Sequence, residues 1–438
     1  MRKSRPYQLT SVKNVKVSEL QSVRDGLACS VGLDVSKGEL VACLRWGDGA
    51  YERPWKVTLQ ELPELVSLLQ ELSRGREVKV AMEPSGVYGD PVRAALQQGG
   101  VSLWRVSSKA SHDYAEVFDG VPSQHDGKDA ATIAELASLG KCQPWHPQDT
   151  FVRELRSEGD WLDIQSRLFS QWQGRLEGLV SRHWPELTGF LKLSSVTLLK
   201  LLAHYGGPRA MASDPEAESR LRGWGRTKLP LVKVRAIIAS AGATSGLVQT
   251  GGEIRQLQRM ATEALRVRRL VQDSRRKLQA LVASDARLSA LGSIVSPCTA
   301  GICWAHLGDP AKYHSPGAYI KAMGLNLKER SSGRYKGQLK LTKRGPRRVR
   351  RWLYFAAMRY VKKPELAPWY QARKGRGTGQ AKRTLVLLMK KLARALYRSA
   401  KGQPFELQRL LPGARKYYQS PGKSPAARGK SAPGKEQS

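Results

Sequence analysis

Four carboxylates stand at positions whose chemistry is more specific than anything else in the chain: Asp34 in VGLDVSK, Glu83 in VAMEPSG, and Asp126 with Asp129 in HDGKDAA. Carboxylate oxygen is the preferred donor of a hard divalent cation such as Mg²⁺. A four-acid cluster therefore suggests phosphodiester chemistry with two ions roughly 4 Å apart. Asp126 and Asp129 are three residues apart at the start of a predicted helix, which places both on one face. Asp34 and Glu83 each close an apolar strand-like run, and if those strands are neighbours they supply the opposing ligands. Taken singly, an Asp at a strand end also reads as a helix cap or a turn former.

The elements that would position these acids are legible in outline. ACSVGLDV is strand material leading into a turn at Ser36-Lys37-Gly38, and ELVACLRW follows as a second strand. LQELPELVSLLQELSRG has leucines at helical spacing, and EVKVAME is a short buried strand ending on Glu83. Helix, strand and helix follow over PVRAALQQ, VSLWRVS and ATIAELASLG, so the expected block is a mixed sheet with helices on its faces. After Pro144-Trp145-His146-Pro147, residues 150–188 and 252–290 read as two long helices able to pair, either as an antiparallel hairpin or between subunits. Shorter helical pieces fill 189–251.

A second constellation lies in GLNLKERSSGRYKG, where Ser331, Ser332 and Gly333 sit among cations. A serine attacks a phosphodiester if its proton is removed and the developing charge is neutralised. Ser-Ser-Gly on its own equally describes a loop. Nearby, Lys343, Arg344, Arg347, Arg348, Arg350 and Arg351 form a set suited to clamping backbone phosphates, or to the solvated face of a helix whose other face packs through Trp352, Leu353, Tyr354 and Phe355.

Composition narrows the partner. The 438 residues carry 74 Lys and Arg against 37 Asp and Glu, a formal net charge of +37 that calls for a polyanion held largely through phosphates. Residues 321–438 hold 32 of those cations and four acids, so the excess is concentrated there. Five cysteines without a CxxC pair or zinc-finger spacing suit reduced thiols. No apolar run approaches a membrane span, and the basic first segment lacks the apolar core of a secretory signal, so a cytoplasmic, nucleoid-associated protein is expected.

The two motif sets in this order resemble the IS110 family of insertion-sequence transposases, also described as RNA-guided bridge recombinases. GLDVSKGEL resembles the family's first acid motif at Asp34, MEPSGVYGDPV its Glu-x-Thr/Ser-Gly motif at Glu83, and DGKDAATIAEL its Asp-x-x-Asp-Ala motif at Asp126 and Asp129. AYIKAMGLNLKERSSGRYKGQLKLTKRGPRRVRRWLYFAA is similar to the family's C-terminal block, which aligns the catalytic serine with Ser332. Gln124-His125 replaces the usual Lys-Thr, Leu327 the usual Pro, and Ser293 and Ser296 stand where the family favours Gly.

The resemblance implies a fold: an α/β RNase H/RuvC-like N-terminal domain with a DEDD acid set, a long helical coiled-coil linker, and a mainly α-helical C-terminal transposase domain. The expected layout is a basic N-terminal extension over 1–27 and a RuvC-like domain over 28–147. Coiled-coil helices follow over 148–288 with an insert at about 189–251, then the serine domain over 289–405 and a disordered basic tail over 406–438. The implied activity is DNA cutting and rejoining through a covalent phosphoserine intermediate. Asp34, Glu83, Asp126 and Asp129 hold Mg²⁺ in that scheme, with DNA and a guide non-coding RNA as partners and a homodimer or homotetramer as the assembly. A metal-dependent RuvC-like nuclease or junction resolvase without a serine nucleophile is the alternative, and an architectural nucleic-acid binder is a third reading.

Overall fold

The computed structural model describes residues 8–24, 26–120, 125–329, 331–332, 335–336, 339–375 and 378–410. The chain divides into two compact units after Gln148.

The first unit is built on a seven-stranded sheet. Its strands are β1 (Thr10–Ser11), β2 (Cys29–Val35), β3 (Glu39–Trp46), β4 (Trp55–Thr58), β5 (Val78–Met82), β6 (Leu103–Val106) and β7 (Cys142–Pro144), in the order β1-β4-β3-β2-β5-β6-β7. The turn at Ser36 is closed by its amide and hydroxyl donating to the Glu39 carbonyl, which folds β3 back antiparallel on β2. β5 and β6 then run parallel to β2, so the sheet is mixed. Nearly every residue of β2 is buried, as a central strand covered on both faces requires.

Alternation along β2 assigns its two faces. Val31, Leu33 and Val35 point into a core with Leu65, Leu69 and Leu72 of α2 (Leu62–Leu72) and Val92 and Leu96 of α3 (Gly89–Gln98). Each such leucine, fully buried, contributes about 2 kcal/mol. Val12 and Val17, from the stretch around β1 and the short helix α1 (Val17–Val23), enter the same core. The opposite face carries α4 (Ser108–Asp119) and α5 (Asp126–Ser138), over smaller residues such as Val41, Cys43 and Ala81. This three-layer arrangement fits the expected RuvC-like α/β domain.

The second unit is helical. Two long helices, α6 (Thr150–His183) and α12 (Gly251–Ala283), run antiparallel within one chain. Leu155 and Leu162 near the start of α6 share a core with Val271, Leu278 and Val282 near the end of α12, while Leu176 and Val180 meet Leu257, Ala261 and Ala264. Between them α7 (Leu187–Phe190), α8 (Val196–Tyr205), α9 (Pro208–Ala212), α10 (Ala217–Gly225) and α11 (Leu231–Gly242) form a cap on the far end of this pair. Its apolar centre includes Trp184, Leu198, Leu202, Leu221 and Ile237.

The roots of α6 and α12 pack instead with α13 (Ala286–Val295), α14 (Pro297–Leu307), α15 (Pro316–Ala322), α16 (Arg347–Tyr360), α17 (Ala367–Lys374) and α18 (Thr378–Ala400). Among the described residues no single helix is long and apolar enough to cross a membrane, and the five cysteines are free thiols. Of the tail expected over 406–438, Leu407–Leu410 form a short helix with Leu410 in the core at the roots of α6 and α12, and the residues beyond Leu410 lie outside the described ones.

Candidate active site

Asp34 is the sixth residue of β2, and Glu83 follows the last residue of β5. Leu33 pairs with Met82 in the parallel register, so Asp34 and Glu83 stand side by side one step beyond that pair, at the carboxyl ends of adjacent strands. Open α/β sheets build their sites at such ends.

What brings Asp126 and Asp129 to the same place is Gly32, two residues before Asp34 and on the same face of β2. A Cβ there would sit 2.1 Å from the Ala130 carbonyl oxygen and 2.4 Å from the Ala134 amide. Only glycine lets the first turns of α5 approach the strand this closely. The helix begins with His125 as its N-cap, whose Nδ1 accepts from the Lys128 amide at 3.1 Å. Lys128 itself is buried, and its Nζ pairs with Asp119 of α4 at 2.7 Å, tying α4 to the acid-bearing helix.

The four acids sense one another. Burial first, and then the charges of Asp129, Asp126 and Glu83, push the Asp34 carboxyl up to about 6, against a hydrogen bond from the Val35 amide. Asp129 is raised by burial and by Asp126 and Glu83, with His125 and Lys128 pulling the other way. Among the described residues none of the four is in an ion pair, and no three His, Cys, Asp or Glu side chains stand close enough to ligate one ion as placed. The acids converge to within electrostatic reach, and ligation requires their side chains to turn inward. The donor set fits a hard divalent cation: oxygen only, with a net negative charge that Lys128, itself paired with Asp119, offsets only in part.

In the second unit, β8 (Leu327–Lys328) pairs antiparallel with β11 (Lys340–Leu341), and within that ribbon β9 (Ser331–Ser332) pairs with β10 (Tyr335–Lys336). The register sets Ser332 opposite Tyr335 and Ser331 opposite Lys336. Gly333 lies outside the described residues, as do the side chains of both serines. The ribbon starts from a tight crossing: Thr342 and Lys343 amides donate to the Asn326 and Gly324 carbonyls at 2.9 and 3.1 Å. A Cβ on Gly345 would come 2.3 Å from the Ala322 oxygen.

Comparison with known proteins gives two family matches. Residues 31–185 match a DEDD transposase of the IS110 type, and residues 292–371 match the IS116/IS110/IS902 family of transposases. The chain belongs to the IS110 family of transposases. It is also similar to the insertion element IS116 uncharacterized 44.8 kDa protein of Streptomyces clavuligerus, with 25% identity over 361 residues covering 80% of this chain and 88% of that one. An IS110-family transposase is an enzyme of DNA recombination, and the DEDD character of its first region suggests use of a divalent metal.

The arginines expected to grip phosphate divide in this IS110-family chain. Arg348 and Arg351 reach back to α6: Arg348 pairs with Asp160 at 2.9 Å, and Arg351 with the buried Asp163 at 2.7 Å. Asp163 also accepts from the Trp352 indole at 3.0 Å and from Arg167 at 3.1 Å, while Asp160 meets His306 at 3.1 Å. Burial would raise the Asp160 carboxyl, yet the hydrogen bond and charge of His306, with Arg348 and Arg156, bring it below its usual value. Arg350 donates to the Gly345 and Met323 carbonyls at 2.7 and 3.2 Å and so staples the crossing beneath the ribbon. Lys343, Arg344 and Arg347 remain exposed. The sequence reading held no sign of the roles of Gly32 and Lys128; a glycine inside a strand run was the available signal for the first.

Proposed function

We propose that this IS110-family transposase excises and inserts an insertion sequence by serine-mediated DNA strand exchange at a Mg²⁺-dependent acid site. The reading rests on one observation above all: four carboxylates from β2, the end of β5 and α5 converge at one end of the sheet, where burial first and then the charges of the other three push Asp34 up to about 6, an arrangement costly to a fold unless a cation relieves it. Asp34 and Glu83 would hold the metal from the sheet, and Asp126 and Asp129 from the helix. Bound there, a divalent ion neutralises charge developing on the phosphate oxygens.

Ser332 supplies the nucleophile, with Ser331 one register step away. The serine Oγ bonds to phosphorus as the phosphorus–sugar oxygen bond breaks, and its proton ends on the departing sugar oxygen as a hydroxyl. One ester replaces another, so attack by a second DNA end on the phosphoserine rejoins the strand without an added energy source. Lys343, Arg344 and Arg347 hold flanking phosphates, and Arg348, Arg350 and Arg351 fix the helix and crossing that present them.

A non-coding bridge RNA selects the DNA partners by base pairing, and the long α6–α12 pair supports association of two or four copies at the nucleoid. Excision from a plasmid carrying the element tests the scheme. Ser332→Ala and Asp126→Ala should each abolish rejoined product, whereas recombination by Ser332→Ala at the wild-type level contradicts the serine assignment.

A further inference from the structure

We propose that the cap on the α6–α12 pair carries a second phosphate-backbone site, a groove lined by Ser219, Arg222, Arg226 and Thr227, that grips nucleic acid through the unit that does not hold the acid cluster. It builds on the reading of the protein as a nucleic-acid enzyme and makes no use of Ser332.

The cap's charge balance comes first. Residues 189–251 hold nine Lys and Arg against three acids, and all three acids are engaged. Asp214 accepts from Tyr205 and pairs with Arg220 at 3.2 Å, Glu216 pairs with Arg220, and Glu218 pairs with Arg235 at 3.1 Å. Arg222 and Arg226 are exposed and have no acid partner among the described residues. They line the same groove as the hydroxyls of Ser219 and Thr227, and the carboxylate on its wall, Glu218, is turned to Arg235.

Backbone geometry makes this convergence. At the end of α10, Arg226 takes φ 50° and ψ −143°, a conformation costly for a residue with a Cβ, and the chain turns there so that Arg226 and Thr227 face back toward Arg222. Two guanidiniums and two hydroxyls around an open groove suit successive phosphates of a nucleic-acid strand, which Arg binds through paired N–H donors. An acidic peptide would offer carboxylates to the same donors; the transposase family and the formal net charge of +37 favour the phosphates of nucleic acid.

The test uses the full chain and measures binding to a fluorescent element-end DNA duplex and to a fluorescent transcript of the element's flank, across a range of salt. Arg222→Gln with Arg226→Asn should lower the slope of log K against log salt by about 0.9 per lost contact on duplex, or about 0.7 on single-stranded RNA. Arg226→Asn exchanges one residue with a Cβ for another and so leaves the strain of this backbone about as it is; if that pair nevertheless disturbs folding, Arg222→Gln alone decides with half the change. Lys13→Gln with Lys56→Gln removes the same charge elsewhere and should leave both slopes unchanged. Loss on one probe alone supports the site and names DNA or RNA as its ligand. Unchanged slopes on both, or an equal loss in the Lys13/Lys56 control, overturn it.

Discussion

At the scale of single residues, the acid site is set by burial and, after it, by repulsion among its carboxylates. Asp34 has an ordinary carboxyl value of 3.8 in the unfolded chain and about 6 in the folded one. Between those values the folded protein keeps a proton that the unfolded chain has released, so stability falls as pH rises across that window, and the penalty remains in full above it. A cation held by the four acids removes the penalty. Mg²⁺ should therefore raise the melting temperature at pH 7.5 and have little effect at pH 5; equal shifts at both values would contradict a metal role for these acids. Ser296 is a second residue under strain. It sits at φ 103° between α13 and α14, where its hydroxyl caps Thr299 and accepts from Arg359 at 3.0 Å. Ser296→Ala keeps the strain and loses a cap, a cost of about 1 kcal/mol. Ser296→Gly loses the cap but releases about 1–3 kcal/mol of strain. Thermal unfolding should rank the glycine variant above the alanine one, and the reverse order would mean the hydroxyl outweighs the backbone.

Elements deliver the acids, and one contact decides their delivery. Because a methyl at Gly32 would collide with the backbone of α5, Gly32→Ala should push Asp126 and Asp129 away from Asp34. Excision should be lost and the unfolding free energy lowered by about 3 kcal/mol; full activity in this variant would mean that the close approach is dispensable. In the second unit, Asp163 joins α6 to α16 through Arg351 and Trp352, and pairs with Arg167 of its own helix. Asp163→Ala leaves buried donors unmatched and should cost about 3–5 kcal/mol in denaturant melts, whereas a cost under 1 kcal/mol would show that the network is incidental. The contrast explains what could be read in advance. Strands ending on Asp34 and Glu83, and the helix opening on Asp126, follow from apolar runs and turn residues a few positions apart. The partners of Arg348 and Arg351 lie nearly 190 residues earlier in the chain, and no local pattern announces that pairing, so the whole arginine run looked available for phosphate.

Across the whole molecule, the charge of +37 is not uniformly available. Some cations are spent inside the fold, as Lys128 is on Asp119 and Arg351 on Asp163, while Lys343, Arg344, Arg347 and the cap's Arg222 stay exposed. Composition announces a polyanionic partner but cannot sort these two groups, because the sorting depends on tertiary neighbours. The same holds for 189–251, whose short helical pieces were visible but whose assembly into a cap depends on α6 and α12 meeting it from either side. The proposed reaction cuts and rejoins DNA through Ser332 with the help of the acid site. The most direct measurement traps protein–DNA complexes with denaturant from cells carrying the gene and its flanks, comparing the unaltered chain with Ser332→Ala and Asp126→Ala. A covalent adduct is expected with the unaltered chain and is eliminated by both substitutions. Cleaved DNA with no adduct, undiminished by Ser332→Ala, would contradict that reaction and point to hydrolysis at the acid site alone.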